Sequence, residues 1–227
     1  MSKIILKDNK MSVKSTKDEF RAYAIKNTRK RAKISAKCRS QNVIKRLSSL
    51  IKFTNSKKIL LYMPLFYEID VYKMRRFLSN RDIFVPIMVD ISLKMVKLRL
   101  PFELKKFNLR EPLASKFAND RIDMAIVPCN GVDGAMRRIG HGKGFYDRFF
   151  SDLPYRPRLI VFVQAADFYT DKILSKEYDI CGDIYLTPNK NYIKRGNYDR
   201  SFSRLRSRCG GSWHRLSVCK KDKRCKL

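Results

Sequence analysis

Residues 137–148 read Arg-Arg-Ile-Gly-His-Gly-Lys-Gly-Phe-Tyr-Asp-Arg, the one stretch whose residue types and spacing together point to chemistry. Glycines at 140, 142 and 144 let the backbone turn sharply and bring its N–H groups close to a ligand with no Cβ in the way. A helix starting near Phe145 would add free N–H groups and a positive dipole end, and Lys143 adds a mobile charge. Those parts make a phosphate cradle. The plain alternative is a glycine-rich turn ahead of a surface helix, and short glycine motifs alone do not decide between the two. The stretch is not a Walker signature, because Gly144 follows Lys143, and its glycine spacing is not that of dinucleotide folds.

A phosphate loop must be carried by a strand before it and a helix after it. Asp123-Met-Ala-Ile-Val-Pro128 supplies the strand-like run. Further short apolar runs predict strands at Lys58–Pro64, Asp82–Pro86, Leu93–Leu100, Arg158–Val163 and Asp183–Thr187. Apolar residues at helical spacing between Thr16 and Leu50 predict two helices broken near Ser35–Ser40, with Ser15 or Thr16 as the first cap. Lys17 and Arg21 lie four apart and share one side of that first helix. Asp70 is read as the cap of a helix over Val71–Leu78, and Leu109–Pro112 as a turn. Strands alternating with helices predict an α/β fold with a mostly parallel sheet, ligands sitting at the strands' carboxyl ends.

The chain has 227 residues, 44% hydrophobic, enough for one domain with a real core. Its formal charge of +30 is concentrated at the ends: residues 1–58 carry eighteen Lys/Arg against three acids, and residues 189–227 thirteen against two. Such ends favour polyanions, whether nucleic acid, an acidic membrane surface or a phosphorylated small molecule, although most single lysines are simply solvated. Six cysteines without a CxxC pair, and no run resembling a signal peptide, lead us to expect free thiols in a reducing, cytoplasmic setting. The longest apolar run, Ile59–Tyr67, is too short to span a membrane. Cys209, His214, Cys219 and Cys225 fit no standard zinc spacing. Residues 1–14 are read as a flexible arm, 15–188 as the α/β domain, and 189–227 as a basic, disordered Arg/Ser/Cys-rich tail.

Arg138-Ile-Gly-His-Gly-Lys-Gly-Phe-Tyr-Asp-Arg148 closely resembles the Arg-x-Gly-x-Gly-x-Gly-Tyr-Tyr-Asp signature of the 5-formyltetrahydrofolate cyclo-ligase family. Weaker pieces follow the family in order: Lys17–Arg21, Tyr62–Glu68, Glu111-Pro112, Asp123–Pro128 and Tyr178-Asp179. The resemblance implies a three-layer α/β sandwich and a reaction in which 5-formyltetrahydrofolate and ATP, with Mg²⁺, give 5,10-methenyltetrahydrofolate, ADP and phosphate. It implies catalytic roles for Lys143 and Arg138. ATP contacts would come from Lys17, Arg21, Arg138, Ile139, Gly140, His141, Gly142, Lys143, Gly144, Phe145 and Tyr146. The folate would meet Met63, Glu68, Met95 and Tyr146, with Phe66 a further wall candidate, and Mg²⁺ would meet Asp147 and Asp179. The protein would act as a monomer, away from membranes, with at most non-specific nucleic-acid contact through its tail.

Each assignment has an ordinary counterpart. Strand methionines are usually core, Glu68 could cap a helix, Lys17 could be one more surface lysine, and Asp147 could pair with an arginine. The chain also departs from the signature: Phe145 replaces a tyrosine, His141 a basic or small residue, and Cys129-Asn130 smaller ones. Two other readings therefore stay open here: a nucleic-acid binder using the basic ends, and another phosphate-handling enzyme, such as one for sugar phosphates.

Overall fold

The computed structural model describes residues 16–32, 36–104, 110–113, 116–194 and 216–219. Two helices come first, α1 (Lys17–Ala32) and α2 (Ala36–Thr54), so the break falls just ahead of the expected place. Thr16 and Glu19 start α1 by a reciprocal cap: the Glu19 N–H donates to Thr16 Oγ1 at 3.3 Å, and the Thr16 N–H to Glu19 Oε2 at 2.9 Å. Asp18 and Glu19 in its first turn and Arg29, Lys30 and Arg31 in its last both suit the helix dipole.

The strands are β1 (Lys58–Leu60), β2 (Asp82–Val89), β3 (Ser92–Lys97), β4 (Phe102–Leu104), β5 (Arg110–Pro112), β6 (Met124–Pro128), β7 (Gly131–Val132), β8 (Arg138–Ile139), β9 (Leu159–Val163), β10 (Ile184–Leu186), β11 (Asn191–Lys194) and β12 (Leu216–Cys219). Among the described residues the main sheet runs β12-β11-β10-β9-β6-β1-β2-β3. The five central strands are mutually parallel, while β3 pairs antiparallel with β2 and β11 with β10. The expected α/β sandwich is therefore what the chain forms.

Side-chain alternation builds its two faces. Met124, Ile126, Leu159, Val161, Ile184 and Leu186 pack with Val43, Leu47, Leu50 and Ile51 of α2. Their neighbours Ala125, Val127, Ile160, Phe162 and Tyr185 pack on the other face with Phe149 of α3 (Phe145–Ser151). Each fully buried aliphatic or aromatic chain of this kind contributes about 1.5–3 kcal/mol. Helix α1 joins through a third, smaller cluster, in which Phe20 and Ala24 meet Ile139, Ala166 and Phe168.

Several expectations are corrected. Arg110–Pro112 is not a turn but strand β5, paired with β4 through Glu103 opposite Glu111. Asp70 makes no side-chain cap: Val71–Arg76 is a 3₁₀ helix, and the Asp70 carboxylate lies 3.5 Å from Lys73 Nζ instead. The sheet also continues past Pro188. Asn191, Tyr192 and Ile193 are buried in β11, where the Tyr192 ring stacks between Tyr169 and Tyr185 at centroid distances of 4.5 and 5.4 Å. The proposed arm at 1–14, and Cys209, His214 and Cys225 of the tail, lie outside the described residues.

Strand order reverses at β1. The chain runs from β1 to β2 on one side, then crosses to β6 on the other. The crevice at the carboxyl ends of β1 and β6 is where such sheets bind ligands.

Candidate active site

A cavity of about 480 Å³ opens at that crevice. One side is apolar: Met63 and Leu65 follow β1, Pro86 and Met88 belong to β2, and Leu93 to β3. The opposite side is the glycine loop, with Arg138, His141, Lys143, Gly144, Phe145 and Tyr146. Between β6 and the glycines the chain inserts the antiparallel β7–β8 pair, so the strand leading directly into the loop is β8, and α3 follows the loop. Helix α3 is only seven residues long, so its dipole is small, and the cations and loop amides dominate the field.

Gly142 and Gly144 adopt φ of 95° and 64°, a region costly for any residue with a Cβ. At Gly140 the limit is space: an added Cβ would sit 2.3 Å from Arg138 Nη1. The Arg138 guanidinium thus lies against the loop. Its Nε donates to the Pro128 carbonyl at 2.8 Å, and its carbon stands 4.9 Å from the Tyr146 ring centre. This buried cation is held between β6 and α3. Lys143 is exposed on the loop and borders the cavity.

Arg21 supports the loop from α1: its Nε donates to the Gly140 carbonyl at 2.8 Å, and it pairs with Asp18. Ile139 is buried under the loop against Phe20 and Phe168 rather than in the cavity. Lys17 does not reach the cavity either; its Nζ lies 2.5 Å from Asp179 Oδ2.

The two carboxylates assigned to magnesium have other partners. Asp179 is buried, held by Lys17 and by the Lys176 N–H at 2.7 Å. Asp147 accepts from the Ile180 N–H at 3.2 Å, and its other oxygen is 3.7 Å from Arg138 Nη1. Neither borders the cavity, and among the described residues no cluster of three or more His, Cys, Asp or Glu could hold a metal.

Met63 and Glu68 both line the cavity. Burial pushes the Glu68 carboxyl up to about 7, opposed by the Leu65 N–H, which donates to it at 2.9 Å, and by Arg138. Tyr146 borders the cavity, and its hydroxyl is pushed up by burial. Met95 does not join them: it is core, with Phe84, Ile122 and Phe149. Phe66 is 80% exposed and off the cavity, so the aromatic wall is the next residue, Tyr67.

Tyr67 joins the two sides, its hydroxyl 2.8 Å from His141 Nε2. Desolvation of the His141 ring, then the charges of Arg138, Arg29 and Arg21, push that imidazole down to about 4. The residue is nonetheless exposed, so desolvation of the ring is weaker than its burial alone would give, and the three guanidiniums are the durable cause of the shift. Burial likewise pushes the Cys129 thiol up to about 12, which keeps it from acting as a nucleophile.

Sequence reasoning missed Arg29, Tyr67, Arg110 and Glu111, all on the cavity wall. Arg29 was findable: it lies eight residues, about two helical turns, after Arg21. Its guanidinium carbon is 5.3 Å from the Tyr67 ring centre. Glu111 ties β5 to β2 at the cavity wall by accepting from the Met88 N–H at 3.3 Å.

Fold and site together define an α/β protein in which a cationic glycine loop faces an apolar pocket. Residues 13–171 match the model of the 5-formyltetrahydrofolate cyclo-ligase family, and the chain belongs to that family. It is 31% identical over 91 residues to the 5-formyltetrahydrofolate cyclo-ligase of Mycolicibacterium smegmatis, a match covering 39% of this chain and 46%, under half, of that relative. The solved 5,10-methenyltetrahydrofolate synthetase of Aquifex aeolicus superposes with a TM-score of 0.64 at 26% identity, over 77% of this chain and 91% of that one. The Mycoplasma pneumoniae 5,10-methenyltetrahydrofolate synthetase shares the fold, with a TM-score of 0.60 at 17% identity over 77% and 99% of the two chains. Among the described residues no helix is long and apolar enough to cross a membrane.

Proposed function

We propose that this chain uses ATP, supplied as its Mg²⁺ complex, to convert 5-formyltetrahydrofolate to 5,10-methenyltetrahydrofolate, releasing ADP and phosphate. The observation that carries the reading is one cavity with two unlike sides: a glycine loop bearing Arg138 and Lys143 against an apolar wall holding Glu68.

A formamide oxygen is a poor leaving group, and transfer of the γ-phosphoryl group to it makes one. The folate's N10 then attacks the activated carbon, the ring closes, and phosphate departs with that oxygen. Such transfer needs positioning and charge neutralisation more than a protein nucleophile. Arg138, held by Pro128 and Tyr146, offers a buried cation where negative charge gathers; Lys143 offers an exposed one. Magnesium would travel on the nucleotide's phosphates, neutralising part of their charge. Glu68, poised near neutrality, can donate or accept a hydrogen bond at the polar edge of a ring lying on Met63 and Tyr67.

The test mixes the protein with 5-formyltetrahydrofolate and Mg-ATP and follows the near-ultraviolet absorbance of the methenyl product. ATP-dependent product is expected, with Lys143→Ala lowering kcat/KM by about 10²-fold or more. Folded, ATP-binding protein that makes no product would sink the proposal.

A further inference from the structure

Two segments distant in sequence line the cavity near Arg148. One is Asp90 of the β2–β3 turn with Leu93 at the start of β3, the other the loop with Lys143, Gly144 and Phe145. Arg148, an exposed residue of α3, joins them. Its Nε and Nη2 donate to the Ile91 carbonyl at 3.0 and 2.5 Å, and Nη2 also donates to the Lys143 carbonyl at 2.9 Å. The guanidinium carbon lies 5.4 Å from the Phe145 ring centre, which keeps the fork over the loop.

This geometry bears on the loop's chemistry. In a trans peptide the carbonyl of one residue and the N–H of the next point opposite ways. With the Lys143 carbonyl committed to Arg148, the Gly144 N–H faces away from Arg148. Gly144 reaches that orientation at φ 64°, which glycine tolerates. The Ile91 carbonyl meanwhile holds the hairpin turn at a set distance from the loop. We infer that Arg148 is a positioning residue of the nucleotide site: it orients the Lys143–Gly144 peptide and sets the spacing of the two segments. The inference rests on reading the glycine loop as the triphosphate site.

A surface arginine with only a structural role would alter the melting temperature and leave nucleotide affinity alone. Arg148 meets two carbonyls through a planar fork, which one ammonium cannot reproduce. Mg-ATP binding should be titrated calorimetrically for the wild type, Arg148→Ala and Arg148→Lys, with melting temperature recorded for each. Losing a charge-assisted tether should weaken binding about tenfold in Arg148→Ala, with Arg148→Lys in between. In turnover, KM for ATP should rise while kcat at saturation stays within about twofold. Unchanged ATP affinity in folded Arg148→Ala, or in Arg148→Lys should the alanine variant not fold, would overturn the role of Arg148 alone. Wild-type protein that binds no Mg-ATP would overturn the reading of the loop, and the inference with it.

Discussion

Lys17 Nζ lies 2.5 Å from Asp179 Oδ2, tying the first turn of α1 to the segment that leads into β10. Asp179 is buried and Lys17, its cationic partner, is partly exposed, so removing the lysine leaves an unpaired carboxylate inside the protein. Breaking a buried pair from one side costs about 3–5 kcal/mol. Lys17→Ala, which leaves the buried Asp179 carboxylate without its cation, should therefore approach that cost, while Asp179→Ala leaves only a partly exposed ammonium and should cost less. Urea denaturation of both single variants and the double variant should return a coupling of about 1–3 kcal/mol. Near-zero coupling would mean the contact holds nothing together, and Lys17 would return to consideration as a nucleotide contact.

The parts legible in advance were those that local pattern decides. Met124–Pro128 and Leu159–Val163 are continuous apolar runs buried on both faces, and the glycines at 142 and 144 mark their own backbone geometry. Tertiary partners decided the rest. Met95 and Met63 are alike as strand-region methionines, yet only Met63 follows a strand end at the reversal of sheet order. Asp179 looked like a free carboxylate until Lys17, 162 positions earlier in sequence, came against it. Strand β11 was hidden because its four residues sit in a stretch rich in Lys, Arg and Asn. Its burial is supplied by distant partners: Tyr169 and Tyr185 stack on Tyr192, Ile193 joins the core with Ile184 and Leu186, and Arg46 bonds Asn191.

Glu68 predicts a pH dependence of stability whose sign follows from its environment. Its folded-state value, about 7, lies above the ordinary 4.5, so the folded state favours the protonated form. As pH rises from about 4.5 to about 7 the carboxyl group must ionise inside the cavity, and its contribution to stability falls; above that it is constant. Glu68→Gln removes this titration. Melting curves between pH 5 and 7.5 should show a smaller loss of stability in the variant than in the wild type. Parallel curves would show that Glu68 is solvated and ionises normally.

His141 predicts the opposite linkage, and one that reports on the ligand. In the folded protein its ring is held down to about 4 by desolvation and by Arg138, Arg29 and Arg21. It therefore stays neutral at pH 5.5, while the unfolded chain, near 6.5, binds a proton there; stability from this group is lost as pH falls from about 6.5 through 4. A triphosphate in the glycine loop would offset those three charges and raise the imidazole value. Binding then takes up a proton, and affinity for a polyanion should increase as pH falls from 7.5 to 5.5. Tripolyphosphate titrated into the wild type and His141→Gln isolates the effect, since the ligand's own protonation is common to both. The wild type should gain about threefold to tenfold more affinity over that range than the variant, as follows when the bound phosphates return the imidazole to near its ordinary value. Equal pH profiles would place His141 outside the field of the bound phosphates, leaving its bond to Tyr67 as a structural link between the loop and the apolar wall.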